Sequence, residues 1–242
     1  VIPGLRDSLD LSFKSLDQID FNNTDFIFSC LPHAELQSNF SKLPNNIKLI
    51  DLSADFRLKD SQDYNKWYGF THNHPKKLNE FIYGLTEFNR KKIKAAKYIA
   101  NPGCYPTSIL MPLIPLLRNK IISGNNIIID SKSGYSGAGK SKKTENIFAE
   151  VNENIKSYGI GDHRHTAEIN QELSNFSDDL VNVFFSANLI PVNRGILSNI
   201  YINFDANKQN EIYECLEDTF AKEEFVTLLP INEVPSTREV IG

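Results

Sequence analysis

The chain has 242 residues, 40% of them hydrophobic and 23% charged, with a formal net charge of −4. That length and balance suit one large buried core or two smaller ones, and an acidic chain without clustered Lys and Arg argues against a general nucleic-acid surface. No run of about 18 apolar residues and no basic-then-apolar opening is visible, so neither a membrane partner nor a signal peptide is expected.

The first residues, "VIPGLRDSLDLSF", read as a loop entering an edge segment of a longer protein. Next comes a short strand at Asp25 to Ser29, closed by Leu31-Pro32, with a helix expected over His33 to Phe40. Further strands are expected at Ile47 to Leu52, Tyr98 to Ala100 and Ile127 to Asp130. Apolar runs separated by helical or loop segments suggest an α/β arrangement of parallel strands. Beyond residue 180 the texture becomes β-rich, with an alternating strand at Ile196 to Phe204 that suggests an antiparallel sheet with one solvated face. From Asn210 to Lys222, Ile212, Tyr213, Leu216 and Phe220 share one side of an amphipathic helix expected to cover that sheet. Two domains meeting near Gly103 follow.

Three segments carry chemistry. Gly134 to Ser141 (GYSGAGKS) fits the P-loop template after a strand, but the downstream apolar run has no terminal Asp for Mg²⁺. An ATP or GTP site, a Gly-rich turn facing some other phosphate and an ordinary loop all remain open for it. In "IANPGCYPTS", Cys104 sits where a strand turns into a helix with Pro106 in its first turn. The helix N-terminus would favour the reactive thiolate, whereas a free cysteine is otherwise most often buried and inert. "HRHTAE" places His163, Arg164, His165 and Glu168 together, as an acid/base set for the thiol, as metal ligands or as a solvated loop. With His72 and His74 in a Pro- and Lys-rich loop that reads as solvated surface, no metal site is expected. Cys30, Cys104 and Cys215 are odd in number and form no C-x-x-C pair, which fits free thiols in a reduced cytoplasmic protein.

Six blocks in order, "SCLPH" (29 to 33), "DLSADFRL" (51 to 58), "YGLTE" (83 to 87), "NPGCYPT" (101 to 107), "SKSGYSGAG" (131 to 139) with "EVNEN", and "HRHTAEI" (163 to 169) with "LIPVNRGIL", resemble the N-acetyl-γ-glutamyl-phosphate reductase family across essentially the whole chain. The resemblance implies an incomplete Rossmann-type NADP-binding domain over residues 1–103. It implies an α+β catalytic domain with a mainly antiparallel sheet over 104–242. It also implies an NADPH-dependent reduction of a small-molecule acyl phosphate through a thioester on Cys104, with His165 or His163 moving the proton and Glu168 orienting it. Arg57, Arg164, Tyr158 and Asn101 are implied to bind substrate, the bland alternative for Arg57 being an ion pair with Asp51 or Asp55. Leu31, Pro32, Ser133 and Gly134 are implied to face the cofactor, and Lys140-Ser141 to complete the P-loop pattern by coincidence. A homo-oligomer is expected.

Departures from the family pattern are Ala167 for Pro, Ser108 for a smaller residue, and Pro112 inside the helix after Cys104, where a kink is expected. The family's Gly-rich pyrophosphate turn would precede Val1 and its last segment would follow Gly242, so the 242-residue piece alone is expected to bind NADPH poorly. Competing readings are a reductase of carrier-bound aminoadipyl phosphate in lysine biosynthesis, an aspartate-semialdehyde dehydrogenase, a P-loop nucleotide-binding protein and an inactive relative.

Overall fold

Four apolar runs in the first hundred residues pair side by side in parallel, which requires a crossover between each pair. In the computed structural model, which describes residues 14–139 and 148–240, these are β1 (Phe26–Ser29), β2 (Lys48–Asp51), β3 (Phe81–Tyr83) and β4 (Tyr98–Ala100) in the order β1-β2-β4-β3. The crossovers carry α1 (Glu35–Asn39), α2 (Ser61–Tyr68) and α3 (Thr86–Ala95). Leu49, Phe56, Leu58, Tyr64 and Leu78 fill this first core, where the rings of Phe56 and Phe81 stack with centroids 3.9 Å apart.

The expectation of a solvated loop at His72 is corrected. His72 is only 4% exposed, its Nε2–H donates to the Asp55 carbonyl at 2.7 Å, and its ring meets Phe56 edge-on. His74 is half-buried as well, its ring tilted on that of Phe40 at 5.5 Å, while Thr71 and Asn73 stay exposed.

The second sheet has the order β6-β7-β5-β8, from β5 (Ile128–Gly134), β6 (Lys156–Tyr158), β7 (Phe184–Ile190) and β8 (Ile196–Tyr201). β5 runs parallel to β7, while the β5–β8 and β6–β7 pairs are antiparallel. The run at 127–130, read above with the parallel strands, therefore belongs to this second sheet. Ile129, Ser131 and Ser133 are buried and the residues between them less so, as expected for a strand covered on one face.

α4 (Cys104–Arg118) and α6 (His165–Ser174) pack together on the covered side, and the short α5 (Phe148–Val151) precedes β6. Pro112 and Pro115 lie inside α4 and remove two donors from its ladder, yet the helix runs on without ending. Ile109, Leu110, Leu113 and Ile114 are fully buried there, and burial of about 1.5–3 kcal/mol per such side chain outweighs the missing bonds. α7 (Gln209–Phe220) packs against α4 rather than covering the strands directly.

The opposite face of this sheet is open. Ile128 stands in register with Phe184 on one side and Tyr201 on the other, and all three are exposed. Among the described residues no helix is long and apolar enough to cross a membrane.

Candidate active site

β4 ends at Ala100, and the Asn101 N–H still donates to the Asp51 carbonyl, so the sheet hands the chain directly to Gly103 and the first turn of α4. Cys104 is the first residue of that helix and opens into a cavity of about 650 Å³ at the seam between the two sheets. The cavity is walled by His33, Leu52 and Tyr68 from the first unit and by Tyr158, His163 and His165 from the second.

The helix start does not by itself make a thiolate. Desolvation by the surrounding walls pushes the Cys104 thiol above its ordinary pKa, against the opposing pull of its own and Tyr105's N–H groups and of Arg57. Burial thus works against the thiolate that the helix start favours, and the balance lies towards the thiol.

His165 begins α6 directly across from this loop. A Cβ built on Gly103 would lie 2.5 Å from His165 Nε2, so only glycine lets the imidazole approach. His165 Nδ1 is buried without a partner among the described residues. Burial, then the neighbouring His163, Arg57 and Arg164, hold its pKa well below the ordinary value, so the ring is neutral. His163 is placed differently. Its Nδ1 accepts the backbone N–H of His165 at 3.1 Å, and its ring packs against Tyr105, Tyr158 and Phe185. Burial, with Arg164 adding, lowers it to about 4. One nitrogen of His163 is thus committed to holding His165 in place.

Glu168 does not orient His165. It is wholly buried and accepts instead from the Tyr83 hydroxyl (2.7 Å), the Gly103 N–H (2.8 Å) and Arg57 Nη1 (3.3 Å). Spacing of three residues on α6 puts both side chains on one side of the helix, but Glu168 points into the seam between the sheets. Arg57 pairs with Glu168, not with Asp51 or Asp55, and also donates from Nε to the Asn101 carbonyl (2.7 Å) and from Nη2 to the Leu52 carbonyl (3.0 Å). Three of its five N–H groups are used by the protein, and its part is structural more than substrate-binding.

Arg164 is the exposed guanidinium of the cavity, stacked over the Tyr68 ring at 5.5 Å, with no carboxylate in ion-pair range among the described residues. Asn101, Ser133 and Tyr158 also line the cavity, and the Tyr158 hydroxyl lies 2.8 Å from that of Tyr105. Leu31 and Pro32 are exposed just past the carboxyl end of β1, but outside this cavity.

Gly134 is turned towards the protein's own backbone and is not among the residues lining the cavity. A Cβ there would meet the backbone of Asn193 and Arg194 at 2.8 Å, and the N–H groups of Gly134, Tyr135 and Ser136 donate to Gly195, Val192 and Asn193 carbonyls. A phosphate cradle needs those amides free. The P-loop reading fails on this count, and its Lys140 and Ser141 lie outside the described residues.

Tyr105, His33, Tyr68 and Lys156 also line the cavity and were not singled out by sequence. His33 and Tyr105 adjoin residues that were, so proximity in the motifs was the available signal. No group of three candidate metal ligands occurs among the described residues.

The family model for the semialdehyde dehydrogenase NAD binding domain matches residues 1–96, and that for the semialdehyde dehydrogenase dimerisation domain matches 104–242. A probable N-acetyl-gamma-glutamyl-phosphate reductase, chloroplastic, of Oryza sativa subsp. japonica is 47% identical over 92% of this chain and 54% of its own length. Its counterpart in Arabidopsis thaliana is 43% identical over 100% and 61% respectively. The N-acetyl-gamma-glutamyl-phosphate reductase of Ehrlichia canis is 44% identical over 97% of this chain and 68% of its own. The chain thus spans a little over half the length of the plant relatives. Aspartate semialdehyde dehydrogenase II from Vibrio cholerae shares the fold at a TM-score of 0.66 and 15% identity, covering 93% of this chain and 68% of that one. With a cysteine at a strand-to-helix turn, a neutral histidine against its glycine and relatives at this identity, the chain belongs to the N-acetyl-γ-glutamyl-phosphate reductase family.

Proposed function

We propose that the complete protein reduces N-acetyl-γ-glutamyl phosphate to N-acetylglutamate semialdehyde and phosphate. The observation that carries this reading is Cys104 at the start of α4 with His165 held against Gly103 in the same cavity. Residues 1–103 would be the remainder of the NADP-binding domain and 104–242 the catalytic domain.

His165 takes the proton of the Cys104 thiol as sulfur attacks the acyl carbon. The C–O bond to phosphate breaks, its electron pair leaves with the phosphate, and His165 returns the proton to that leaving oxygen. A thioester remains on Cys104. When bound, NADPH supplies the hydride that brings the acyl carbon to the aldehyde level. The resulting thiohemiacetal oxyanion re-forms its C=O bond and expels the sulfur, which regains a proton from solvent through His165. Arg164 would pair with the carboxylate or phosphoryl group of the substrate through parallel N–H bonds, and Asn101 and Tyr158 would position it. Leu31 and Pro32, exposed at the carboxyl edge of a parallel sheet, fit the place where such sheets receive dinucleotides, with Ser133 on the cavity side.

The exposed Ile128, Phe184 and Tyr201 row would be covered by a second copy of the chain, so a homo-oligomer is proposed. A cytoplasmic location is proposed on the three free thiols, with the plant relatives named chloroplastic.

The test is the reverse reaction of the full-length protein, with N-acetylglutamate semialdehyde, phosphate and NADP, followed as NADPH absorbance. Phosphate-dependent formation is expected without any carrier protein; turnover only of a carrier-bound semialdehyde would move the activity to the related lysine-pathway chemistry. In the same assay Gly103→Ala is expected to cost about 10²-fold in kcat, because the new Cβ displaces the His165 ring. A rate near that of wild type would show that the close approach is not used.

A further inference from the structure

The buried ion pair at the seam touches the nucleophile's loop from both sides. Arg57, from the segment after β2, donates to the Asn101 carbonyl, and Glu168, from α6, accepts the Gly103 N–H; the two are bonded to each other at 3.3 Å. Asn101 and Gly103 bracket Pro102 in the three residues before Cys104, and Gly103 is the residue against which His165 packs. Tyr83, at the end of β3, donates its hydroxyl to Glu168 Oε1, the oxygen that also accepts the Gly103 N–H, while Arg57 holds Oε2. A salt bridge that merely joined two units would have no reason to spend its hydrogen bonds on the backbone of this loop.

We propose that Arg57, Glu168 and Tyr83 form a positioning clamp that sets the distance between Cys104 and His165, so that the relative placement of the two sheets controls the nucleophile. This rests on the reductase reading for its effect on turnover, though not for its effect on the thiol itself. Arg57 favours the Cys104 thiolate and Glu168 opposes it. Neutralising Glu168 should therefore ionise the thiol more easily while the misplaced loop slows the chemistry, two changes of opposite apparent benefit.

The experiment uses full-length protein and the variants Glu168→Gln, Tyr83→Phe and Arg57→Lys, with Glu168→Asp as the conservative change. Iodoacetamide alkylation of Cys104 against pH, read by peptide mass, is combined with kcat and KM. For Glu168→Gln the alkylation midpoint is expected to move to lower pH while kcat falls about tenfold or more at nearly constant KM. Glu168→Asp should restore the alkylation midpoint towards wild type. If Glu168→Gln does not fold, Tyr83→Phe and Arg57→Lys carry the test, each with a lower kcat at constant KM and an altered alkylation rate. Folded variants with wild-type kcat, or with lower kcat and an unmoved alkylation profile, would overturn the clamp. A wild type inactive in turnover but with the expected alkylation shifts would instead remove the reductase reading and leave the clamp standing.

Discussion

Cys104→Ser is expected to lower phosphate-dependent NADPH formation by at least about 10³-fold, the scale seen when a covalent nucleophile is lost. An alkoxide is a far rarer species than a thiolate at neutral pH, and a serine ester gives up its oxygen less readily than a thioester gives up sulfur. The residue is exposed to the cavity and belongs to neither buried cluster, so the melting temperature should hardly change. The wild-type pH profile follows from the same site. Because burial raises the thiol, kcat/KM should climb as pH rises through the alkaline range. Because His165 is held neutral well below its ordinary value, no acid limb should appear near pH 6.5. An acid limb there would show that His165 is charged in the free enzyme.

His165→Gln carries the second large effect. Loss of a placed proton carrier is typically worth about 10²- to 10⁴-fold, and that range is expected in kcat with little change in KM. His163→Gln should act more weakly on the chemistry, since His163 Nδ1 is spent on the His165 backbone and its ring is packed among Tyr105, Tyr158 and Phe185. Its signature should be a lower melting temperature. Rates and thermal melts of both variants decide between the two; a folded His163→Gln protein slower than His165→Gln would reverse the assignment.

What could be read beforehand follows the range of the physics involved. β1, β2 and β4 were legible because each is a compact apolar run flanked by turn residues, and α7 because its apolar stripe repeats at helical spacing. β3 is as short as β4 but follows directly on the Pro- and Lys-rich segment and its short helical stretch, which mask its Phe81–Tyr83 run, and α3 buries none of its side chains. The place of β5 depends on pairing with β7, more than fifty residues away, which no local pattern encodes. At the site, Cys104 and the histidines stood out because a thiol at a strand-to-helix turn and paired imidazoles are chemically unusual. The partners of Glu168 did not, because Arg57 lies 111 residues away and only the fold brings them together. Gly134 misled for a related reason: a glycine needed for close backbone packing looks like one that cradles phosphate.

The most direct test is to mix the full-length protein with N-acetyl-γ-glutamyl phosphate in the absence of NADPH and analyse the acid-quenched protein by peptide mass spectrometry. One equivalent of phosphate should be released rapidly, with the N-acetylglutamyl group on the peptide containing Cys104 and none on those containing Cys30 or Cys215. Turnover without any acyl adduct on Cys104, or an adduct on another residue, would contradict the thioester route.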